Sequence, residues 1–153
     1  LNDMSNQDGL KYIICRFGTI FGTSAGMRFH TAVNKFCWQA VMGEPLTVWK
    51  TAMNQKRPYL GVKDAVRSIK FIIENDLFNC TIFNILSCNS TVKQIIEIIK
   101  RKISKLNIEL VETEIMNQLS YEVSCEKFKN TGFKFTDDIQ KGIFNTIDLF
   151  NVK

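Results

Sequence analysis

The chain has 153 residues, 45% of them apolar and 23% charged, which is enough for one domain with a real core or for part of a larger one. No run approaches the roughly 18 apolar residues that a membrane span needs, and no basic-then-apolar leader opens the chain, so a soluble, cytoplasmic protein is the expectation. An excess of 20 Lys and Arg over 15 Asp and Glu leaves +5, a mild surplus that suits phosphate-bearing ligands and falls far short of a nucleic-acid signature.

The first residues are polar and patternless, and the chain opens on Leu1 instead of Met, so it reads as a segment of something longer or a trimmed chain. The apolar run Tyr12-Ile13-Ile14-Cys15 predicts a buried strand over residues 11–16. Gly and small hydroxyl residues then take over, from Arg16-Phe17-Gly18-Thr19 to Gly26-Met27-Arg28. A strand thus releases a Gly-rich loop into a helix, and in open α/β sheets ligands settle beyond the carboxyl ends of strands. An ordinary strand-to-helix connection is the alternative for this loop.

From residue 30 to 42 the apolar residues Val33, Phe36, Cys37, Ala40 and Val41 recur at helical spacing, and Gly43 supplies the stop. Glu44-Pro45 turns the chain into a short strand, Leu46-Thr47-Val48-Trp49. A polar link leads to Arg57-Pro58-Tyr59-Leu60-Gly61-Val62, and Asp64 precedes a helix carrying Ala65, Ile69, Phe71, Ile72 and Ile73. Its carboxylate suits the positive end of that helix, as a cap or as the partner of a nearby base.

Thr81-Ile82-Phe83-Asn84-Ile85-Leu86 reads as a buried strand, and Thr91 with Gln94 makes a capping box for the stripe Val92, Ile95, Ile96, Ile99, Ile103. Residues 107–112 alternate like a strand, and Ser120-Tyr121-Glu122-Val123 is a second extended piece. Asp137 with Gln140 opens a last helix with the stripe Ile139, Ile143, Ile147, Phe150. Helices and strands alternate, which argues an α/β or mixed α+β layer.

The five cysteines are scattered without a CxxC pair, and His30 is the only histidine. Neither a zinc site nor a disulfide framework is supported, and most of the cysteines read as small core residues. His30 reads as a helix-start residue, and the cluster Lys100-Arg101-Lys102 with Lys105 as the solvated face of its helix.

Arg16–Gly22, the helix running into Gly43-Glu44-Pro45-Leu46-Thr47-Val48-Trp49, then Gln55-Lys56-Arg57-Pro58-Tyr59 with Asp64, resemble in their order the second half of a sugar-nucleotide epimerase/dehydratase, an extended short-chain dehydrogenase/reductase. The resemblance continues through Phe83-Asn84-Ile85, the Thr91 helix, Ser120-Tyr121, Lys127 and Gly132-Phe133, nearly the whole chain after Tyr12. It implies an α/β (mixed α+β) fold: the C-terminal portion of a Rossmann-type enzyme, without the N-terminal dinucleotide-binding half. Residues 1–29 would end the Rossmann sheet and supply the active-site loop, and residues 30–153 would form the sugar-nucleotide-binding part.

The same resemblance implies NAD or NADP as cofactor, bound mainly by that other half, with Gly18 and Thr19 on a loop near the nicotinamide. The implied partner is a nucleotide-diphosphate sugar, in a protein that is a homodimer at full length. Thr19 is then closest to the chemistry. Thr31, Asn34 and Lys35 at the helix start contact the diphosphate, and Thr47 and Trp49 form the edge on which the base rests. Arg57 is the phosphate-binding arginine, whose guanidinium fork matches phosphate oxygens. Tyr121, with Asn117 and Ser120, closes the pocket. Arg16 as partner of a carboxylate and Trp49 as simple core are the alternatives at those two positions.

Two catalytic features of the family are not in the sequence. Gly18, Gly22 and Gly26 have the wrong spacing and place for a dinucleotide fingerprint, and the family's Tyr-x-x-x-Lys pair is expected shortly before Arg16, where the chain begins too late to hold it. No catalytic residue is therefore assigned, and the fragment is expected to be inactive alone. Thr23 stands where relatives carry Pro, Lys50 where Gly is common, and Gly61 where a bulkier residue is usual. These departures favour the competing reading, a non-catalytic binding or interaction module derived from the same family.

Overall fold

The computed structural model describes residues 9–112 and 120–151. In chain order its elements are β1 (Ile13–Phe17), β2 (Thr19–Phe21), α1 (Ala32–Met42), β3 (Leu46–Trp49), a 3-10 turn (Lys50–Ala52), β4 (Lys56–Gly61), α2 (Val62–Glu74), β5 (Thr81–Ile85), β6 (Cys88–Thr91), α3 (Val92–Lys100), β7 (Ile108–Val111), α4 (Glu126–Lys129) and α5 (Ile139–Phe150). The architecture is α/β, as expected.

Among the described residues three small sheets carry it. Strands β1 and β5 pair in parallel, from Ile13 opposite Thr81 to Phe17 opposite Ile85. At Gly18 the chain steps into a second sheet, in which β2 runs parallel to β4 and β4 antiparallel to β6. The third pairs β3 in parallel with β7, Leu46 opposite Ile108. The predicted loop is therefore shorter than expected: residues 19–21 are a strand, because their partner lies about forty residues on and no local pattern announces it.

Helices α1, α3 and α5 close over one core, in which Phe36, Cys37, Leu46, Val48, Ile95, Ile99, Ile143 and Ile147 are buried. Burying one such side chain is worth about 1.5–3 kcal/mol, so the apolar stripes of these helices supply most of the adhesion. A second core gathers Leu60, Ala65, Ile72, Phe83, Ile85, Phe128 and Phe133. Its rings meet edge-on or tilted, with Phe128–Phe133 and Phe133–Phe135 centroids 4.9 Å apart, the arrangement that aromatic quadrupoles favour.

Helix ends follow the sequence with one exception. Gly43 ends α1 at φ 72°, in the left-handed region, and its N–H reaches back to Ala40 O. The Thr91–Gln94 capping box forms in both directions, at 3.1 and 2.8 Å. Helix α5, however, is capped by Asp138, which accepts the Lys141 N–H at 2.8 Å, and not by Asp137. Asp137 turns the other way and accepts the Asp64 N–H in the first turn of α2 at 2.8 Å. Asp64, fully buried, pairs with Arg67 at 2.5 Å and accepts the backbone N–H groups of Thr136 and Asp137 at 2.8 and 2.7 Å. The two aspartates thus tie α2 to the chain entering α5.

Residues 120–125 form no strand but lie against the second sheet. Ser120 Oγ accepts the Lys56 N–H at 2.9 Å, and Asn89 exchanges two hydrogen bonds with the Val123 backbone. Lys56 also pairs with Glu122.

Candidate functional site

A cleft of about 350 Å³ opens between the start of α1 and strands β3 and β4. Six of the sequence-predicted residues line it: Thr19, Thr31, Lys35, Thr47, Trp49 and Arg57. They come from β2, α1, β3 and β4, and each is there for a local reason.

Period-two alternation on β3 buries Leu46 and Val48 in the core and sends Thr47 and Trp49 to the other face. Trp49 is 46% exposed, which removes the simple-core alternative and leaves a free aromatic face at the cleft wall. Thr47 Oγ1 accepts a hydrogen bond from Gln39 Nε2 at 3.3 Å, so its hydroxyl hydrogen is available to the cleft. Register places Thr19 of β2 opposite Tyr59 of β4, and thereby beside Arg57.

Arg57 is oriented from several sides. Its guanidinium donates to Gln55 Oε1 at 3.3 Å and to Lys56 O at 3.2 Å, and its centre lies 4.9 Å from the Tyr121 ring centroid. Cation–π contact of this kind holds a guanidinium without neutralising it. Tyr121 therefore backs the arginine and does not line the cleft. Asn117, expected beside it, lies outside the described residues.

The α1 start supplies the third wall. Thr31 occupies the N-cap position with no side-chain cap bond, and the first turn carries no acidic residue. The amide groups and positive dipole end of the helix are left for an anion, with Lys35 one turn on. Among the described residues no Asp or Glu lines the cleft.

Asn34 is elsewhere. It is 3% exposed, accepts the Gly22 N–H at 3.3 Å and donates to Arg28 O at 3.1 Å. It pins both ends of the loop over residues 22–28 and lines a second cavity beside the first. Gly18 is also outside the cleft. Its N–H donates to Ile85 O at 3.0 Å, and a Cβ there would meet the Pro58 carbonyl carbon at 3.0 Å. Gly18 thus lets β2 approach β4, and the Gly22 N–H is taken by Asn34. The described residues of this loop supply no pyrophosphate cradle.

Three further cleft residues with polar groups, Tyr59, Gln55 and His30, escaped the sequence reading of the site. Tyr59 is 3% exposed, and burial, aided by Cys88 and opposed by Arg57, pushes its hydroxyl up to about 12, so it stays a hydrogen-bond donor at neutral pH. Gln55 and Tyr59 share the alternation of Arg57, a signal that was available in the sequence. His30 stands at the mouth, read in the sequence only as a helix-start residue. The cysteines are not part of this chemistry: burial raises Cys37 to about 12 and Cys88 to about 11, which keeps both as unreactive thiols. Among the described residues Arg16 forms no ion pair, so the expected carboxylate partner is not found, and no cluster could hold a metal ion.

The profile of the NAD dependent epimerase/dehydratase family matches residues 1–85, more than half of the chain. The chain belongs to that family. It is 31% identical over 91 residues to the chloroplastic UDP-sulfoquinovose synthase of Spinacia oleracea, covering 58% of this chain and 19% of that protein. Its fold matches UDP-glucuronic acid 4-epimerase from Bacillus cereus, in complex with UDP-glucuronic acid and NAD, with a TM-score of 0.85 at 16% identity. It also matches Thermus thermophilus UDP-glucose 4-epimerase in complex with NAD, with a TM-score of 0.81 at 21% identity. Both matches cover 97% of this chain, which spans about half the length of those enzymes. As an epimerase/dehydratase-family fold it therefore presents the Arg57 cleft within the half of the architecture that it spans.

Proposed function

We propose that this epimerase/dehydratase-family chain is a nucleotide-sugar-binding portion, and that its Arg57 cleft holds the nucleoside diphosphate. The observation that carries the reading is the convergence of Trp49, Lys35, Arg57 and the uncapped start of α1 on one cleft whose described lining has no acid. An aromatic face for a base, two cations and free amide groups for two phosphates are what such a ligand requires. Trp49 covers the base and Thr47 donates to its edge. Lys35, Thr31 and Arg57 take the diphosphate, with Tyr121 steadying Arg57. Thr19 lies on the sugar side of the diphosphate. Uridine is the first base to test, since the similar proteins are named for UDP-sugars.

In this reading the 153-residue chain binds and positions and does not itself turn over. A dinucleotide-binding half carries NAD or NADP, which supplies the transient hydride acceptor for the sugar. The assembled protein is a cytoplasmic homodimer that epimerises, dehydrates or reduces its substrate. Calorimetry with UDP, GDP, dTDP and CDP and their sugars tests the reading. One base series should bind, and Arg57→Ala should weaken it by about 10- to 100-fold, as loss of a charge-assisted hydrogen bond worth about 1.5–3 kcal/mol predicts. Absence of binding by every series, with Arg57→Ala without effect, would refute it.

A further inference from the structure

A second cavity of about 520 Å³ adjoins the first and shares His30 and Thr31 with it. Its lining includes the loop that Asn34 pins, with Ser24 and Arg28, and also Ile20 and Val62. Among the described residues no Asp or Glu lines this cavity either. The backbone at Arg28 is fixed by two hydrogen bonds to its carbonyl, from Thr31 Oγ1 at 3.2 Å and Asn34 Nδ2 at 3.1 Å. Its guanidinium has no ion-pair partner among the described residues.

The charges along the joined cavities do not balance for a neutral sugar. A diphosphate bridge carries about two negative charges, which Lys35 and Arg57 match in the first cavity, by the ordinary pairing of such cations with phosphate oxygens. Arg28, in the lining of the adjoining cavity, is then a third cation beyond the two that a diphosphate uses. A cation held at a fixed backbone position, in a cavity whose described lining has no carboxylate, favours a ligand that brings its own anion.

We infer that the second cavity takes a sugar bearing an acidic group, a carboxylate or a sulfonate, and that Arg28 is the residue that selects it. This rests on the nucleotide-sugar reading of the first cavity. Thr31 and Asn34 act through Arg28, as positioning residues that set where its side chain starts. Thr31 also faces both cavities, at the joint between phosphate and sugar.

The test is calorimetry on the 153-residue chain with three probes: UDP, UDP-glucose and UDP-glucuronic acid. The last two differ only in the acid group of the sugar. UDP-glucuronic acid should bind at least about tenfold more tightly than UDP-glucose, as a charge-assisted contact predicts. Arg28→Gln should bring that ratio close to one, and Arg28→Lys should keep most of it. The preference should shrink as salt is raised. Equal affinity for the two sugars, with UDP still bound, would overturn this inference alone. A ratio untouched by Arg28→Gln would do the same, by taking the selection away from Arg28. Failure to bind UDP or either sugar would overturn this inference, and if GDP, dTDP and CDP with their sugars failed as well, the nucleotide-sugar reading would fall with it.

Discussion

Gly61→Ala is expected to destabilise this protein for a reason that has nothing to do with backbone freedom. Gly61 sits at φ −65° and ψ 139°, a conformation open to any residue. The obstacle is Asp137: a Cβ at residue 61 would fall inside the van der Waals envelope of its carboxylate and its Cβ. Asp137 cannot withdraw freely, because its Oδ2 caps α2 through the Asp64 N–H at 2.8 Å. Losing a cap costs about 1 kcal/mol, and forcing a methyl group into a filled site costs about 1–3 kcal/mol. The smaller entropy of an unfolded chain with Ala returns about 0.5 kcal/mol.

The net expectation is a loss of about 2–3 kcal/mol, or about 5–10 °C in Tm for a chain of this length. Urea and thermal unfolding of the wild type, Gly61→Ala, Asp137→Gly and the double variant would measure it. If Asp137 is the obstacle, the double variant should be about as stable as Asp137→Gly alone, a coupling that neighbouring sites show and distant ones do not. A Gly61→Ala cost under about 0.5 kcal/mol, or strict additivity of the two changes, would refute the reasoning.

The remaining predictions concern the cleft, pH and the exposed edges. Trp49→Ala should weaken binding of the nucleotide identified by calorimetry by about 0.5–1.5 kcal/mol, the range for a ring pair, and leave the thermal transition almost unmoved because Trp49 is exposed; an unchanged Kd would remove it from the base platform. Stability should fall as pH rises from about 9 toward 12. Burial raises Cys37 and Tyr59 to about 12 and Cys88 to about 11, from 9.0 for the thiols and 10.0 for the phenol, so the unfolded chain loses these protons first and unfolding is favoured. A urea midpoint equal at pH 8.5 and 10.5 would contradict this. Finally, Phe17, Ile82, Val66, Ile69 and Ile73 are exposed on the first sheet and on α2, and parallel strands ordinarily lie buried on both faces. The isolated chain is expected to self-associate or melt early, and Val66→Lys with Ile73→Lys should reduce association in sedimentation; a monomer with a sharp, high transition would refute that.

Local chemistry was legible in the sequence. The stripes of α1, α3 and α5, the Gly43 stop and the Thr91–Gln94 box each depend on residues within one or two turns of one another, so spacing alone determines them. The order of these segments and the wording around Arg57 were likewise enough to point to the family. What the sequence could not decide was pairing across distance. Residues 19–21 become a strand only because β4 lies alongside, and Asp137 serves α2 because folding brings the Asp64 N–H to 2.8 Å from its carboxylate. Asn34, named with its neighbours as a phosphate contact, proves to be the pin of the adjoining loop. The meeting of Thr19, Lys35, Trp49 and Arg57 in one cleft is also a tertiary fact, since each side chain is aimed by its own strand or helix and only the packing of those elements brings them together.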